Sequence, residues 1–312
     1  MPTPPPITSK SNARVKALRA SFSGKASQPG DLLGLEGEHL IAEAVRSGLR
    51  LEALFIRQGS ENKLGRINGT RLGDTPRIIL SPEVFDSALT TVSPQGLAAI
   101  WRIVEPPSRR PLRRVLILEK LQDPGNLGTL IRTFDAFGSG EIFATPGTVN
   151  RWNPKALRSS AGSAFRVPIT QRPLSELADL LRGEGVRIFA AVPGFTHDGS
   201  KCAPHGVLYG RRVNAEASSP VYRDRTGKTI GSPNGVAQSL SFDADFDEPY
   251  AILVGNEGAG LSDEALALAD EQVQIPGSTE SLNAAVAGSL LLYEAMRQLP
   301  LRAWAHKQGL RP

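Results

Sequence analysis

The feature that most constrains this chain is a short apolar strand that runs into a glycine-rich loop, followed by a second strand, loop and helix. The first strand is Ala251–Val254, and residues 255–260 form its loop with three glycines. The second strand is expected at 272–275, and its loop leads into a helix that opens at Ser281–Asn283. In open α/β sheets ligands bind outside the carboxyl ends of the strands, so the ligand site is expected here.

Strands and helices alternate along most of the remaining sequence. We expect strands at 32–35, 51–57, 77–80, 96–104, 115–118, 142–144 and 186–192, and helices at 37–47, 82–89, 127–137, 154–160 and 174–181. Such alternation predicts an α/β fold with a parallel sheet and right-handed crossovers. Residues 195–248, which are polar and rich in glycine and serine, interrupt the pattern as an insertion or mobile flap.

Composition shifts divide the chain into segments. We expect a basic arm and linker at 1–30, a small α/β domain at 31–106, a linker at 107–112, a larger domain at 113–299 that carries the insertion 195–248, and a tail at 300–312. In the arm, Thr8 or Ser9 is the expected cap of a short helix.

The net charge of +5 has its origin in the first thirty residues. They contain Lys10, Arg14, Lys16, Arg19 and Lys25 and no acidic residue. A basic arm on an otherwise neutral body suits a polyanion. A helix whose cations simply face water explains the same charges equally well.

Few other chemistries are indicated. A single cysteine, the lack of a long apolar run and the lack of a signal-peptide pattern favour a cytoplasmic protein. His197, Cys202 and His205 lack the spacing of a zinc site, so no metal is expected. The glycine-rich loop is neither a dinucleotide-binding nor a P-loop motif. Four scattered histidines disfavour a hydrolase.

Polar side chains near the expected strand ends are the candidate site residues. Asn126 and Arg132 follow the strand at 115–118, Glu257 is in the glycine-rich loop, and Ser281 and Asn283 precede the last helix. Each also has a structural explanation. Asp123 or Asn126 can cap a helix, as can Ser281 or Asn283, while Arg132 can be a rim arginine and Glu257 a solvated loop acid.

Three stretches, taken in order and spacing, carry a family resemblance. Asp123–Gly138, Ile252–Ser262 and Ile275–Ala295 resemble motifs one, two and three of the SpoU-type (TrmH-like) RNA ribose 2′-O-methyltransferases of the SPOUT superfamily. Asn153–Gly162 is similar to the family's segment between the first two motifs. Residues 7–104 resemble its small ribosomal-protein-like substrate-binding domain.

The resemblance implies an S-adenosylmethionine-dependent enzyme that methylates a ribose 2′-hydroxyl, with ribosomal RNA expected before transfer RNA. It also implies a C-terminal trefoil knot and a homodimer with active sites at the interface, which periodicity does not reveal. Between Ile275 and Ser281 the chain is shorter than the family pattern. A non-catalytic RNA-binding protein, and a methyltransferase that modifies a base or a protein, stay open as alternatives.

Residue by residue, the resemblance assigns catalytic and cofactor positions, and the basic residues add a set of expected RNA contacts. Its catalytic positions are Asn126, Arg132, Glu257, Ser281 and Asn283. Its cofactor positions are Val192, Pro193, Gly194, Gly255, Asn256, Glu257, Gly258, Ile275, Pro276, Leu282 and Asn283. The expected RNA contacts are Lys10, Arg14, Lys16, Arg19, Arg132 and Arg158. Because a guanidinium stays protonated, Arg132 is expected to orient the substrate rather than to act as a base.

Overall fold

A computed structural model describes residues 5–68, 72–108, 111–137, 140–193, 222–223, 229–230, 237–241, 243–246, 249–276 and 281–298. The helices are α1 Ala13–Ser21, α2 Glu38–Arg46, α3 Gly65–Asn68, α4 Pro82–Ala88, α5 Pro124–Ala136, α6 Pro154–Ser160, α7 Leu174–Gly183, α8 Asp263–Leu268 and α9 Ala284–Gln298. The strands are β1 Leu32–Glu36, β2 Leu51–Arg57, β3 Arg77–Leu80, β4 Leu97–Arg102, β5 Arg114–Leu118, β6 Glu141–Ala144, β7 Ile169–Gln171, β8 Arg187–Val192, β9 Tyr222–Arg223, β10 Thr229–Ile230, β11 Ala237–Leu240, β12 Tyr250–Val254 and β13 Glu271–Gln274.

The chain forms two compact units. The first comprises Met1–Pro107 together with Asn150–Arg166, and the second comprises Ser108–Val149 and Val167–Pro312. Residues 150–166 lie within the larger domain in our sequence-based division, yet they pack with the first unit. The chain therefore passes between the units three times.

A four-stranded sheet of order β1-β4-β2-β3 forms the centre of the first unit. Its β1–β4 and β2–β4 pairs are antiparallel and its β2–β3 pair is parallel. Ile7 forms a further parallel bridge to Leu80, so the N-terminal segment extends this sheet. Apolar side chains of α1 and α4 pack with sheet residues into a buried cluster that includes Val15, Leu18 and Phe85.

Helix α1 belongs to the core of the first unit. Val15 and Leu18 are fully buried, and such side chains each contribute about 1.5–3 kcal/mol to stability. The expected cap at Thr8 or Ser9 is wrong, because the Asn12 side chain accepts a hydrogen bond from the Arg14 amide (2.9 Å). The helix therefore begins at Ala13, and the packed apolar face fixes which way its basic residues point.

Aromatic packing and ion pairs bind segment 150–166 to the rest of the first unit. The Trp101 ring lies 5.1 Å from that of Trp152 and 5.5 Å from that of Phe165, measured between centroids. Arg151, which is 5% exposed, pairs with Glu105. Burial lowers the pKa of the Arg151 guanidinium to about 9, whereas the ion pair favours its charged form.

The second unit has a seven-stranded sheet of order β11-β13-β8-β12-β5-β6-β7 in which every pair is parallel. This confirms the expected α/β fold class with a parallel sheet, while the trefoil knot stays a prediction. The chain runs outward from β5 through β6 to β7 and then returns to the other side of β5. The carboxyl ends of β5 and β12 thus meet where the strand order reverses, the usual place for a ligand.

The structure adds elements that periodicity missed, because they are too short to show a pattern. These are α3, β7, β9, β10 and β11. The last three come from the insertion, and β11 pairs with β13. Helix α5 begins at Pro124 rather than at 127, since Asp123 caps it by accepting from the Asn126 amide (2.9 Å). Within the described ranges, every helix is too short or too polar for a membrane span.

Candidate active site

A cavity of about 230 Å³ opens at the carboxyl ends of β8, β12 and β13, at the edge where the sequence predicts the ligand site. Its lining includes both expected loops and the start of α9. The lining residues are Ala191, Val192, Pro193, Val254, Gly255, Asn256, Glu257, Gly258, Ala259, Gly260, Leu261, Val273, Ile275, Ser281, Leu282, Ala284 and Ala287. Most are apolar or glycine, and Glu257 is the one ionisable side chain among them.

The glycine-rich loop turns back on itself directly after β12. Asn256 and Gly260 exchange two backbone hydrogen bonds of 3.0 Å, and the Asn256 side-chain oxygen accepts from the Gly258 amide (2.9 Å). A Cβ atom on Gly255 would lie 2.5 Å from the Gly260 carbonyl carbon, so only glycine fits there. The loop is consequently a tight turn, closed by its own hydrogen bonds, that presents backbone to the cavity.

A buried carboxylate anchors the far end of this loop. Glu119 directly follows β5 and is 2% exposed. It accepts hydrogen bonds from the Ser262 amide (2.9 Å) and hydroxyl (2.6 Å), while that hydroxyl also caps α8. The sequence reasoning missed Glu119, although an acidic residue directly after an all-apolar strand is a signal that could have found it.

The Glu257 carboxylate joins the glycine-rich loop to the loop after β5. It accepts hydrogen bonds from the backbone amides of Gln122 (3.3 Å) and Asp123 (3.0 Å) and from the Asn126 side-chain amide (3.0 Å). Burial raises the pKa of Glu257, but these hydrogen bonds together hold it below its ordinary value. The carboxylate is therefore ionised at neutral pH and orders the first turn of α5.

Asn283 extends this network to the third motif. Its side-chain amide donates to the Asn126 side-chain oxygen (3.1 Å), and its own oxygen caps α9 by accepting from the amides of Ala285 (2.9 Å) and Val286 (3.2 Å). Capping and network formation thus use different atoms of one side chain. Asn283, Asn126 and Glu257 form a continuous chain of hydrogen bonds beside the cavity.

Arg132 lies apart from this network. It is exposed on α5, does not line the cavity, and forms no hydrogen bond or ion pair with the described part of the chain. It is six positions after Asn126, which corresponds to about 240° around the helix and about 9 Å along its axis. The two side chains consequently leave α5 in different directions.

The other expected cofactor and catalytic positions fall mostly at the cavity. Val192, Pro193, Ile275, Ser281 and Leu282 line it, whereas Pro276 is described but does not. Gly194 lies outside the described residues, as does the loop at 277–280.

The expected RNA contacts on the first unit are exposed. Lys10 precedes α1, while Arg14, Lys16 and Arg19 lie on it, and Arg158 lies in the last turn of α6. The Arg19 guanidinium donates to the Ser87 carbonyl (3.4 Å). All five keep their charged ends at the surface.

No group of metal-ligating side chains occurs among the residues that the structure describes. His197, Cys202 and His205, which the sequence raised and disfavoured as ligands, lie outside those residues.

Comparison with known proteins gives two family matches. The SpoU rRNA Methylase family matches residues 113–203 and 218–293, more than half of the chain. A second family, described as RNA 2′-O ribose methyltransferase substrate binding, matches residues 35–107. The first match includes the first two motifs and all but the last two residues of the third, and the second match covers residues 35–104 of the region 7–104 in which the resemblance was found.

Individual relatives extend over almost the whole chain. The 23S rRNA (guanosine(2553)-2′-O)-methyltransferase RlmP of Bacillus subtilis is 30% identical over 290 residues, 92% of this chain and 97% of that protein. An uncharacterized tRNA/rRNA methyltransferase of Synechocystis is 33% identical over 94% of this chain and 93% of its own length. A crystal structure of an RNA 2′-O ribose methyltransferase superposes with a TM-score of 0.67 at 26% identity, covering 94% of this chain and 98% of that one. The expected family is thus confirmed, and the chain belongs to the SpoU rRNA methylase family.

Proposed function

We propose that this protein transfers the methyl group of S-adenosylmethionine to a ribose 2′-hydroxyl in ribosomal RNA. The observation that carries the proposal is the hydrogen-bond chain from Asn283 through Asn126 to Glu257. It joins all three sequence motifs beside a cavity at the carboxyl edge of the parallel sheet. An enzyme that must align two reactants needs such fixed loops.

The cavity suits S-adenosylmethionine. Its apolar wall, which includes Val192, Val254 and Ile275, matches an adenine ring, and the glycine-rich loop offers backbone groups without side-chain obstruction. The ionised Glu257 places a negative charge near a cofactor that carries a sulfonium. Gly255, Ile275 and Leu282 are the proposed main contacts.

The bound cofactor supplies an activated methyl group, so the protein's own residues have to place the ribose oxygen in line with it. Arg132 is proposed to dock the phosphate next to the target ribose and to polarise the 2′-hydroxyl, and that phosphate can accept the proton. Asn126, Glu257 and Asn283 keep the loops in place, while Ser281 holds the edge of the pocket.

Ribosomal RNA is the proposed substrate class. RlmP is named for a 23S rRNA guanosine, and a Streptomyces viridochromogenes relative, 28% identical over 94% of this chain, is named for a 23S rRNA uridine. The residues matched to the substrate-binding family and the basic side chains of α1 and α6 are proposed to hold the RNA. The single cysteine of the chain, together with a ribosomal RNA substrate, supports the proposal that the protein acts in the cytoplasm.

A homodimer completes the proposed site. Val286, Leu290 and Tyr293 follow each other along α9 and are 47%, 42% and 48% exposed, which is unusual for large apolar side chains on one helix face. Helix α5 packs beside α9, with the Phe137 and Tyr293 ring centroids 5.9 Å apart. We propose that two copies meet through this α9 face and that Arg132, which does not line the cavity of its own copy, serves the cavity of the other.

The dimer proposal is tested by Leu290→Asp. A buried charge opposes association through the α9 face, so the variant should elute as a monomer in gel filtration and lose methyl transfer. The matched control is Leu32→Asp, at an exposed leucine of the first unit that is 37% exposed. Equal elution of wild type and Leu290→Asp would exclude this face as the interface.

The function itself is tested with methyl-labelled S-adenosylmethionine and, in separate reactions, unmodified ribosomal RNA and unmodified transfer RNA. Digestion to nucleosides and mass spectrometry should find a 2′-O-methylated nucleoside from ribosomal RNA. A labelled base, or label confined to transfer RNA, would contradict the proposed product or substrate. RNA binding without a saturable cofactor site by calorimetry would instead favour a non-catalytic RNA-binding protein.

A further inference from the structure

Lys120 has an unusual backbone conformation beside the active site. Its φ angle is +50°, and Ala161 is the only other non-glycine residue with positive φ in the parts of the chain described. L-residues other than asparagine and aspartate avoid this left-handed region, because the Cβ atom approaches the following carbonyl oxygen. Glycine would take the same conformation without strain.

Two hydrogen bonds hold Lys120 in this conformation, and both use its backbone. Its amide donates to the Thr145 hydroxyl (3.0 Å), in the loop after β6. Its carbonyl accepts from the Asn256 side-chain amide (2.9 Å), in the glycine-rich loop. The bend thereby ties together the loops that follow β5, β6 and β12. Two positions after Lys120, the Gln122 amide donates a hydrogen bond to the Glu257 carboxylate.

The lysine side chain takes no part in the hydrogen bonds that hold this bend. It is exposed, and it forms no hydrogen bond or ion pair with any residue in the described ranges. Its Cγ atom would lie 3.5 Å from a Cβ atom built on Gly147, so the lysine side chain begins beside the loop that follows β6. The backbone needs a left-handed residue here, but it does not need a cation.

We propose that Lys120 binds a phosphate of the RNA strand that flanks the methylated nucleotide. This rests on the proposed function, because it requires RNA at the carboxyl edge of this sheet. Lys120 follows β5, the strand next to β12, and so lies at the same carboxyl edge of the sheet as the cavity. An unpaired cation there attracts a polyanion. Lys120 would thus be an RNA contact in the catalytic unit that none of the three motif assignments includes.

Four variants separate this role from a structural one: Lys120→Gly, Lys120→Gln, Lys120→Arg and the control Arg182→Gln. Arg182 is another exposed cation, in the last turn of α7, and the chain enters β8 a few residues later, at the opposite edge of the sheet. Each protein is tested for melting temperature, for S-adenosylmethionine affinity by calorimetry, and for affinity to unmodified ribosomal RNA over a range of salt concentrations.

Lys120→Gly should melt at the wild-type temperature or above it, since glycine relieves the backbone strain. Both Lys120→Gly and Lys120→Gln should bind the cofactor normally and bind RNA about 3- to 10-fold more weakly. The magnitude of their slope of log affinity against log salt concentration should fall by about 0.7 to 0.9, because one phosphate contact is lost. Lys120→Arg should restore both values, and Arg182→Gln should leave them unchanged.

Either of two results would overturn the inference. One is an RNA affinity and salt slope of Lys120→Gln equal to those of Arg182→Gln. The other is a lower melting temperature or weaker cofactor binding for Lys120→Gly, which would make the residue structural. The wild-type transfer assay distinguishes these from failure of the proposed function, because Lys120 can prove irrelevant while ribosomal RNA is still methylated.

Discussion

Helix α5 and segment 150–166 both carry arginines, but Arg132 on α5 and the arginines near the two ends of the segment, Arg151 and Arg166, have opposite environments. In segment 150–166, Arg151 is buried and paired with Glu105, and Arg166 donates to the Glu43 carboxylate (3.0 Å) and the Ser47 hydroxyl (3.1 Å). On α5, Arg132 is exposed and has no partner among the described residues.

The comparison indicates that a candidate functional arginine is distinguished by the lack of a carboxylate partner, and not by its charge alone. An arginine with a carboxylate partner has its hydrogen-bonding capacity occupied within the molecule and contributes to folding. An exposed arginine without such a partner can give its planar fork of donors to a phosphate. Removing the partner of a paired arginine should therefore lower the stability of the fold, whereas removing an exposed arginine without a partner should lower the rate of catalysis.

The largest effect is expected for Arg132→Ala. Loss of a positively charged group that acts in the transition state should lower kcat for methyl transfer by about 10²- to 10³-fold. Because Arg132 is exposed and unpaired within the described chain, the melting temperature and the cofactor affinity should stay at wild-type values. Arg132→Lys should recover only part of the rate, since an ammonium lacks the bidentate geometry. Near-normal transfer by Arg132→Ala would show that this arginine is a surface residue.

A smaller loss is expected for Glu257→Ala. The substitution leaves the Asn126 side-chain amide and two backbone amides without their acceptor, which costs about 1–3 kcal/mol. Transfer should fall about 10- to 100-fold, with weaker cofactor binding in calorimetry, because the same residue lines the cavity. Unchanged cofactor affinity would mean that the glycine-rich loop keeps its shape without this network.

Loss of an ion pair in segment 150–166 should lower the free energy of unfolding and leave catalysis unchanged. Glu105→Ala leaves the Arg151 charge buried without its carboxylate, and we expect a loss of about 1–3 kcal/mol in urea unfolding, moderated by the partial exposure of Glu105. The kcat of the folded fraction should be unchanged. A large drop in kcat at full folding would break the distinction between the two regions.

The smallest effect concerns pH. The folded-state pKa of Glu257 lies below its unfolded value, so its contribution to stability is present above the unfolded pKa and is lost as the pH falls through the folded pKa. The stability difference between wild type and Glu257→Gln should be constant above about pH 5 and should shrink toward zero in more acid solution. A difference that grew on acidification would contradict the assigned hydrogen bonds.

The sequence predicted the strands well, and also the two loops that follow β12 and β13, because buried parallel strands are short apolar runs that end at glycines. It also brought Asn126, Glu257 and Asn283 together through the family resemblance. The Glu119–Ser262 pair and the left-handed Lys120 were missed, since both depend on which strands are neighbours in the sheet. The packing of segment 150–166 with the first unit depends on aromatic contacts such as Trp101 with Trp152, which periodicity does not encode.

The most direct test of the account is to mix the two impaired variants, Arg132→Ala and Glu257→Ala, under conditions in which subunits exchange. If each site combines its own Glu257 with Arg132 of the partner subunit, half of the dimers are mixed and each mixed dimer has one intact site. Methyl transfer should therefore recover to about a quarter of the wild-type rate. No recovery, with exchange confirmed by native mass spectrometry, would contradict a site completed by the unpaired arginine of a second copy.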